Sequence, residues 1–381
     1  MTSPWGSAQI VAGALAALIG FASSFAIVLA GLQAMGATPL QAAMGLGILK
    51  IMTGLASIGL GLYFRMPVAL AWSTPGAAFL VTLATPSGGF SEACGAFLIS
   101  SLAIALTGWI GPLRRAVEAI PLSLSSAMLA GVLLNICLIP VTSFAANPWV
   151  VGPVILTWFV VGLRSTRWAV PAAVVAAGVM MALGGHWPEG LVWQVTPFAW
   201  QTPSFSMTSL VGIALPLYLI TMTSQNLAGL AVLRSYDYHP PLSPILRVTG
   251  LASAICSPFG GHHVNLAALT SAMCANPDVG PKSTRWGSVV AAGVVFILMG
   301  LGSAVMIPIA LAAPANLVPS IAGLALVGAT AGALRQAFEP EAGRQAVLIC
   351  FVVTVAGVSF FGIGSAFWGL VLGCILWRFK P

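Results

Sequence analysis

The sequence predicts an all-α polytopic membrane protein with 14 transmembrane segments, and three observations lead to that prediction. Of the 381 residues, 59% are hydrophobic and only 6% are charged, and the mean hydropathy is +1.02. The hydrophobic residues form long runs, and nearly all basic residues fall between alternate runs. A soluble domain carries about 25% charged residues. This composition therefore excludes a soluble enzyme, a disordered chain, a coiled coil and a disulfide-stapled secreted domain.

The apolar runs define the segments to within a few residues. A helix needs about 20 apolar residues to cross the bilayer. The third and tenth segments are interrupted by Pro and Gly, which leaves the apolar stretches beside each break too short to span as one regular helix. In chain order, the predicted segments are 8–32, 41–63, 67–84, 93–111, 119–139, 148–163, 168–184, 207–230, 243–257, 258–275, 286–307, 315–334, 342–359 and 362–378.

The basic residues support this number of crossings, because cytoplasmic loops carry an excess of Lys and Arg. With the N-terminus inside and both broken segments counted as crossings, the inside connections hold 13 of the 14 basic residues. The outside connections, including the long stretch 185–206, hold none, and Lys50 within segment 2 is left over. The sequence thus predicts that both termini are cytoplasmic. The net charge of +7 is attributed to cytoplasmic loops and not to nucleic-acid binding.

Two sets of seven segments in one chain must have opposite orientations, which is the inverted-repeat plan of many secondary transporters. The expected repeats cover about 1–184 and 207–381, and the broken segment is the third of each repeat. Interrupted segments at corresponding positions of two halves are the best sequence indication of a transporter's substrate site.

Each broken segment is expected to form an extended stretch followed by a half-helix. In the first, Ser73 or Thr74 is a suitable N-cap, and Pro75 suits the first helical position. In the second, Asn265 is the expected cap of a half-helix that starts at Leu266. In inverted repeats the two N-termini would meet near the membrane midplane and present free N–H groups and positive dipole ends to an anion. Ordinary proline kinks are the alternative.

Three runs resemble the BenE family of benzoate–proton symporters, namely AWSTPGAAFL at 71–80, TSQNLAGLAVL at 223–233 and SPFGGHHVNLAAL at 257–269. The resemblance covers the whole chain and implies the fold of the uracil and sulfate permeases. It implies a core domain of segments 1–4 and 8–11, built from 1–113 and 207–307. It also implies a gate domain of segments 5–7 and 12–14, built from 114–206 and 308–381, which often carries a homodimer contact.

The candidate substrate site lies between the two half-helices. The nucleobase branch of the resembled fold uses a carboxylate on segment 8, where this chain has Gln225 and Asn226. A site without carboxylates suits an anionic substrate, because like charges repel. Neighbouring residues of an α-helix are about 100° apart, so we expect only one of these amides to face the site. The candidate substrate-binding residues are Ser24, Phe25, Trp72, Ser73, Thr74, Gly76, Ala77, Gln225, Asn226, His262, His263, Val264, Asn265 and Leu266.

His262 and His263 are the only histidines at membrane depth, and histidine titrates near neutral pH. They are the candidate carriers of a coupled proton, because the predicted helices hold no Asp or Glu at mid-depth. A structural, hydrogen-bonded pair is the alternative. A metal site is disfavoured, because it needs three or four converging ligands and adjacent strand residues point to opposite sides. No cofactor is expected.

Several other candidates have a functional and a structural interpretation. Lys50 either extends toward an interface or counters a substrate charge, and the structural role is favoured because segment 2 is usually peripheral in the resembled fold. Trp72, Phe25 and Phe259 either form an aromatic wall for the substrate or serve packing alone. Ser24 either lines the site or packs helices, and packing is favoured.

The sequence leads us to expect proton-coupled import of benzoate or a related aromatic carboxylate by alternating access across a bacterial inner membrane. The transporter class follows from the repeat and the broken segments, whereas benzoate follows from the resemblance alone. The alternatives are a permease of the same fold for another organic anion, and a uniporter or channel, since no buried acid imposes proton coupling. A membrane enzyme is disfavoured, because the sequence has no HExxH or GxSxG motif.

Overall fold

The computed structural model describes residues 4–118, 120–188, 195–314, 317–358, 360 and 364–379. Residues 189–194 of the predicted outer connection lie outside this set. The described chain is mostly helical, with a single two-stranded sheet. Seven of its helical stretches are long and apolar enough to cross a membrane, and a bent helix pair makes an eighth. The expectation of a polytopic helical membrane protein is confirmed.

The first half begins with a break that the sequence did not indicate. The helix predicted over 8–32 is bent by 40° between its two parts, at Ser23 and Ser24. Both serine hydroxyls donate to carbonyls four residues earlier, a contact that bends helices. The elements of this half are α1 (Ser7–Ala22), α2 (Phe25–Ala34), α3 (Pro39–Phe64), β1 (Leu70–Trp72), α4 (Thr74–Val81), α5 (Gly89–Trp109), α6 (Gly111–Glu118), α7 (Leu122–Cys137), α8 (Ile139–Ala146), α9 (Pro148–Arg164) and α10 (Thr166–Leu183).

The second half begins with one long span, Met207–Ser235, that contains two π-helical turns, Leu210–Ala214 and Thr221–Asn226. A π-turn joins each N–H to the carbonyl five residues earlier, and such turns are frequent at functional sites. The elements of this half are α11 (Met207–Ser209), α12 (Leu215–Ile220), α13 (Leu227–Ser235), α14 (Leu242–Cys256), β2 (Val264–Leu266), α15 (Ala268–Ala275), α16 (Trp286–Leu301), α17 (Met306–Ala312), α18 (Leu317–Phe338), α19 (Arg344–Val355) and α20 (Ser365–Arg378).

The two broken segments cross each other as antiparallel strands. Leu70 pairs with Leu266, Ala71 with Asn265 and Trp72 with Val264. Each strand leads directly into a half-helix, α4 after β1 and α15 after β2. The expected extended stretch plus half-helix is therefore present in both segments, and neither is an ordinary proline kink.

The second half-helix does not start where the sequence indicated. Leu266 ends strand β2, and α15 begins at Ala268, with Ala267 as an N-cap that makes no side-chain hydrogen bond. The expected cap, Asn265, instead donates from Nδ2 to Gln225 Oε1 (3.3 Å) and Leu266 O (2.8 Å). Pairing with β1 holds residues 264–266 extended, so the helix starts two residues later than predicted.

Two groups of helices pack around and beside the strand crossing. In the first group α3 packs on α16, α5 on α14 and α1 on α16, and β1 and β2 lie against α3 and α14. In the second group α7 packs on α18, α9 on α10 and α19 on α20. Glycine allows these helices to approach closely, since a Cβ at Gly54 of α3 would lie 2.4 Å from the carbonyl oxygen of Gly293 in α16.

Candidate functional site

The start of α4 is closed by its own N-cap. Ser73 Oγ accepts a hydrogen bond from Gly76 N (3.2 Å), and Ser73 O accepts one from Ala77 N (2.8 Å). Pro75 has no N–H, which leaves Thr74 as the only residue in this first turn whose backbone N–H has no partner among the described residues. Of the two caps that the sequence allowed, Ser73 is the one used, and the helix begins at Thr74, one residue before the predicted start at Pro75.

Gly76 and Ala77 are buried within this first turn and not at an open surface. A Cβ at Gly76 would lie 2.7 Å from Ser73 Oγ and 2.8 Å from Leu217 Cδ1, so the capping hydroxyl needs glycine there. A Cβ at Gly31 of α2 would lie 2.6 Å from Ala77 O, which shows how closely α2 approaches the half-helix. Both candidates therefore shape the start of α4.

The start of α15 is left open. Ala267 N donates to Ala69 O (3.0 Å) and Ser271 N donates to Ala267 O (2.9 Å). Between them, the backbone N–H groups of Ala268, Leu269 and Thr270 have no partner among the described residues. Ala268 is half-buried and Leu269 is 49% exposed, so this end of the helix is accessible. Free N–H groups at a helix N-terminus form an anion-binding arrangement.

The two histidines lie beside the crossing, and both are fully buried. They precede strand β2, and their ring centroids are 6.4 Å apart with planes 14° apart. The expectation that they point to opposite sides of a strand is therefore wrong. His262 Nε2 donates to Ser73 O (3.0 Å), while its Nδ1 is buried without a partner among the described residues.

His263 joins three different segments by hydrogen bonds. Its Nδ1 contacts Thr221 Oγ1 (2.8 Å), its Nε2 contacts Ser100 Oγ (2.8 Å), and its carbonyl accepts from Ser73 N (3.0 Å). Thr221 Oγ1 also contacts Ser73 Oγ (3.0 Å). The histidine is thus connected through one hydroxyl to the N-cap of α4.

Both amides of segment 8 contact the second broken segment. Asn226 is fully buried, and its Oδ1 accepts from Leu266 N (3.1 Å). Gln225 is half-buried, and its Oε1 accepts from Asn265 Nδ2. We expected only one amide to face this region. The π-turn explains the difference. When each N–H bonds to the carbonyl five residues earlier, Gln225 and Asn226, which follow Thr221 by four and five residues, both lie on the same face as Thr221.

The remaining contacts of β2 brace the strand. Val264 is fully buried, its N–H donates to Ser253 Oγ (2.8 Å), and its carbonyl accepts from the same hydroxyl (3.3 Å). Asn265 Oδ1 is buried without a partner among the described residues. Leu266 is fully buried against Gly229, where an added Cβ would lie 2.5 Å from the leucine Cβ.

A buried lysine lies behind strand β1. Lys50 is 1% exposed, and its Nζ lies 3.5 Å from the ring centroid of Trp72 and 4.2 Å from that of Phe296. Trp72 Nε1 donates to Ser24 Oγ (2.7 Å), which fixes the indole between α1 and α3. Lys50 therefore does not extend to an interface, and no carboxylate in the described chain pairs with it.

The aromatic candidates form a row that ends at an apolar cavity. Phe25 stacks on Phe21 at 5.4 Å, and Phe21 contacts the Trp72 ring at 5.7 Å. Phe21 and Phe25 line a cavity of about 240 Å³, with side chains from α10, α17 and α18 on its other walls. Phe259 packs elsewhere, against Phe198 and Trp200.

Sequence reasoning missed three polar residues of this region. Thr221 and Ser100 are single hydroxyls in apolar helices, and polar side chains at membrane depth are the signal that could have found them. Glu92 was placed near a helix end, yet it is buried and lines a cavity of about 540 Å³. Its carboxylate accepts from the hydroxyls of Ser206 and Ser209 and from Gly88 N.

Comparison with known proteins assigns the chain to a family. The BenE family, described as benzoate membrane transport protein, matches residues 3–379. The chain is 38% identical over 366 residues to inner membrane protein YdcO of Escherichia coli (strain K12), covering 96% of this chain and 93% of that protein. It is 30% identical over 374 residues to the benzoate membrane transport protein of Acinetobacter baylyi, covering 97% and 94%.

Solved structures share the fold at low sequence identity. The transmembrane domain of the cyanobacterial bicarbonate transporter BicA superposes with a TM-score of 0.66 at 15% identity, covering 97% of both chains. SLC26A9 superposes with a TM-score of 0.59 at 12% identity, covering 97% of this chain and 65% of that one. The resemblance found in the sequence is confirmed, and the chain belongs to the BenE family of benzoate membrane transport proteins, which are transporters and not enzymes.

Proposed function

We propose that this protein imports benzoate or a related aromatic carboxylate together with a proton, by alternating access across a bacterial inner membrane. The observation that carries the proposal is the open start of α15, where three backbone N–H groups have no partner among the described residues. The Acinetobacter relative is a benzoate membrane transport protein by name, which supports benzoate, and the Escherichia coli relative is an inner membrane protein by name, which supports that membrane.

The substrate carboxylate is proposed to bind between the half-helix starts. The α15 start supplies the N–H groups of Ala268, Leu269 and Thr270, and the α4 start supplies those of Thr74. In the described chain no Asp or Glu hydrogen-bonds to the residues of the crossing, and the buried Nζ of Lys50 lies behind Trp72. Such a site favours an anion, because helix dipole ends attract it and no fixed negative charge opposes it.

The aromatic ring of the substrate is proposed to lie on the row of Trp72, Phe21 and Phe25. These rings contact one another in sequence and lead to the apolar cavity of about 240 Å³. Aromatic side chains bind a planar ring through stacked or edge-to-face contacts. The proposed selectivity is therefore for a carboxylate attached to an apolar ring.

Alternating access is proposed to arise from movement of the core domain (1–113 and 207–307) against the gate domain (114–206 and 308–381). The two half-helices of the core differ in whether they contact the gate. The half-helix α4 packs on α7, and α2 packs on α18, so these core elements touch the gate. The half-helix α15 packs on α1, α13 and α16, which all belong to the core. With the predicted topology α15 leads inward, and this packing supports an inward-facing state.

The fourteen-segment inverted repeat is part of the proposal. Eight long spans, four shorter apolar helices and the two strand–half-helix segments of the described chain supply the required crossings. Contacts in one half also recur in the other, since α3 with α16 corresponds to α14 with α5, and α9 with α10 corresponds to α19 with α20. We further propose a homodimer through the gate domain, which cross-linking in membranes would test.

The coupled proton is proposed to reside on His262 or His263. A protonated imidazole beside the site attracts the carboxylate, and substrate and proton then raise each other's affinity by the same factor. Replacing the carrier histidine by Gln keeps hydrogen bonding but removes the titration. Counterflow exchange should then survive better than accumulation driven by a pH gradient. If both His→Gln variants keep full pH-driven accumulation, the proton travels with the substrate as the neutral acid or by Lys50.

Uptake of radiolabelled benzoate into proteoliposomes, with and without an imposed pH gradient, tests the function directly. We expect accumulation above equilibrium only with the gradient, and competition by other aromatic carboxylates but not by neutral aromatic compounds. Equilibration without accumulation would identify a uniporter, which is the second candidate because no Asp or Glu among the described residues hydrogen-bonds to the residues of the strand crossing. Competition by aliphatic anions alone would identify a different substrate class.

A further inference from the structure

A continuous chain of hydrogen bonds links His263 to the first turn of α4. Gly76 N donates to Ser73 Oγ (3.2 Å), Ser73 Oγ contacts Thr221 Oγ1 (3.0 Å), and Thr221 Oγ1 contacts His263 Nδ1 (2.8 Å). On its far side His263 Nε2 contacts Ser100 Oγ (2.8 Å). Ser73, Thr221 and His263 are fully buried, so bulk water does not compete for these bonds.

The directions of these bonds are coupled to one another. Ser73 Oγ already accepts the Gly76 N–H, so its own proton is available to donate to Thr221. In the tautomer of neutral His263 that carries its proton on Nε2, Thr221 donates to Nδ1 and Nε2 donates to Ser100. Each hydroxyl in this arrangement points away from the start of α4 and toward the histidine.

Protonation of His263 at Nδ1 reverses the direction of the whole chain. The new N–H donates to Thr221 Oγ1, so the Thr221 hydroxyl must donate to Ser73 Oγ. Ser73 Oγ then accepts from both Gly76 N and Thr221, and its own hydroxyl proton turns away from the chain, toward the first turn of α4. One added hydrogen-bond donor is thus presented at the helix start where the substrate carboxylate is proposed to bind.

The same chain conducts the proton that reverses it. A proton that adds to Ser73 Oγ from the substrate side releases the existing Ser73 proton to Thr221, and Thr221 releases its own to Nδ1. Each step breaks one O–H bond and forms one O–H or N–H bond, so one proton is gained by His263 and none is lost. The final arrangement is the reversed one, with the Ser73 hydroxyl directed to the substrate.

We propose that Thr221 is the positioning residue that couples the proton on His263 to substrate binding, by reversing its hydrogen bonds between His263 and Ser73. The inference rests on the proposed proton-coupled transport and deepens it, because it selects His263 over His262. His262 reaches only the carbonyl of Ser73, which accepts in both states and cannot reverse.

Other titratable groups lie on the elements that pack around His263 without joining the chain. They are His262 at 6.4 Å between ring centroids, Lys50 on α3, Glu92 and Cys94 on α5, Tyr218 on α12, and Arg247 and Cys256 on α14. In the described chain none of them hydrogen-bonds to an atom of the His263 ring. The pH response assigned to the chain is therefore expected to follow His263.

The test is Thr221→Val in proteoliposomes, because valine keeps the shape of threonine and removes the hydroxyl. In the parent protein, benzoate affinity should differ by at least about fivefold between the neutral and the protonated state of His263. In Thr221→Val we expect this pH dependence of the affinity to be lost. Thr221→Ser should restore the pH dependence, because it restores the hydroxyl.

Thr223→Val is the matched control, since Thr223 lies on the same π-turn, is buried, and donates only to Leu219 O. It should behave as the parent does. If Thr221→Val fails to fold, Thr221→Ala provides the same loss of the hydroxyl without a β-branch and is expected to give the same result.

The outcomes separate this inference from the proposed function. If Thr221→Val keeps the parent's pH dependence while His263→Gln loses it, the hydroxyl chain is refuted and histidine coupling stands. If His263→Gln also keeps the pH dependence, His263 does not carry the proton, and both the hydroxyl chain and the proposed coupling by His263 are refuted. If His262→Gln alone loses it, the selection of His263 is wrong.

Discussion

The half-helices α4 and α15 each have eight residues and each follow a strand of three residues, yet their first turns are used differently. At α4, Ser73 caps the helix, and the start is connected by hydrogen bonds to His263. At α15, no side chain caps the helix, and three N–H groups remain without a described partner. The same plan of strand and half-helix therefore has two different first turns, one capped and hydrogen-bonded to a histidine and the other with its N–H groups open.

The largest effect is expected from closing the open start. Ala267→Ser places a hydroxyl at the N-cap of α15, where it can accept from the N–H groups proposed for the substrate. We expect benzoate affinity to fall by about tenfold, because a hydrogen bond to a charged group is worth roughly 1.5–3 kcal/mol. Stability should rise by about 1 kcal/mol, because the helix gains a cap. Binding assays and thermal unfolding in detergent measure the two changes.

Pro241→Ser provides the control for that variant, since Pro241 is the uncapped N-cap of α14. It should leave benzoate affinity unchanged. Unchanged affinity in Ala267→Ser as well would show that the α15 start does not hold the carboxylate.

The second effect concerns the capped start. In Gly76→Ala the new Cβ would lie 2.7 Å from Ser73 Oγ and displace the capping hydroxyl. We expect a loss of stability of about 1 kcal/mol, the usual worth of an N-cap, together with a weaker dependence of transport on pH. Gly59→Ala in α3 is the control, because a Cβ there meets nothing within 4 Å. If Gly76→Ala keeps the parent's dependence of transport on pH, the Ser73 cap is not needed for that dependence.

A third, similar effect concerns Lys50, which lies behind Trp72 of β1. A protonated Lys50 would attract the carboxylate, and two unit charges about 10 Å apart are worth roughly 1–2 kcal/mol at an effective dielectric constant near 20, so Lys50→Met should lower benzoate affinity by about tenfold. Stability should increase, since a buried charge without a described carboxylate partner is removed. The exposed Lys282→Met, which loses an ion pair with Asp237 and a cation–π contact with Tyr238, should change neither quantity. If Lys50→Met binds benzoate as tightly as the parent does, Lys50 contributes to packing only.

The smallest effect on transport is expected from a topology probe. Trp200 is 63% exposed in the predicted outer connection, and Glu341 is exposed in a predicted inner one. The native cysteines are buried or half-buried, so background labelling should be low. An impermeant thiol reagent should label Trp200→Cys from outside the cell and Glu341→Cys only after permeabilisation. The opposite pattern would invert the topology and with it the assignment of α15 to the inner side.

The sequence was sufficient for the start of α4 but not for that of α15. Ser73, Thr74 and Pro75 form a local cap signal, and the helix begins there. Asn265 gives a similar local signal, but pairing of β2 with β1 and the contact with Gln225 are non-local, and they override it. Lys50 and Thr221 show the same limit. Their segments were predicted, but which face of each segment meets β1 or His263 is decided by packing between distant parts of the chain.

The π-turn at Thr221–Asn226 has a consequence for insertion and deletion tolerance. A helix that gains one residue without shifting its ends must widen one turn, so this turn behaves as a one-residue insertion. Deleting one residue from within it, for example Ser224, should relax the turn to an ordinary helix without turning the helix that follows. Gly229 would still lie against Leu266, but Thr221 and the two amides would no longer share a face, so the contacts to His263 and to strand β2 would not form together. A single missing codon is therefore expected to abolish transport and leave the helix content of the protein almost unchanged.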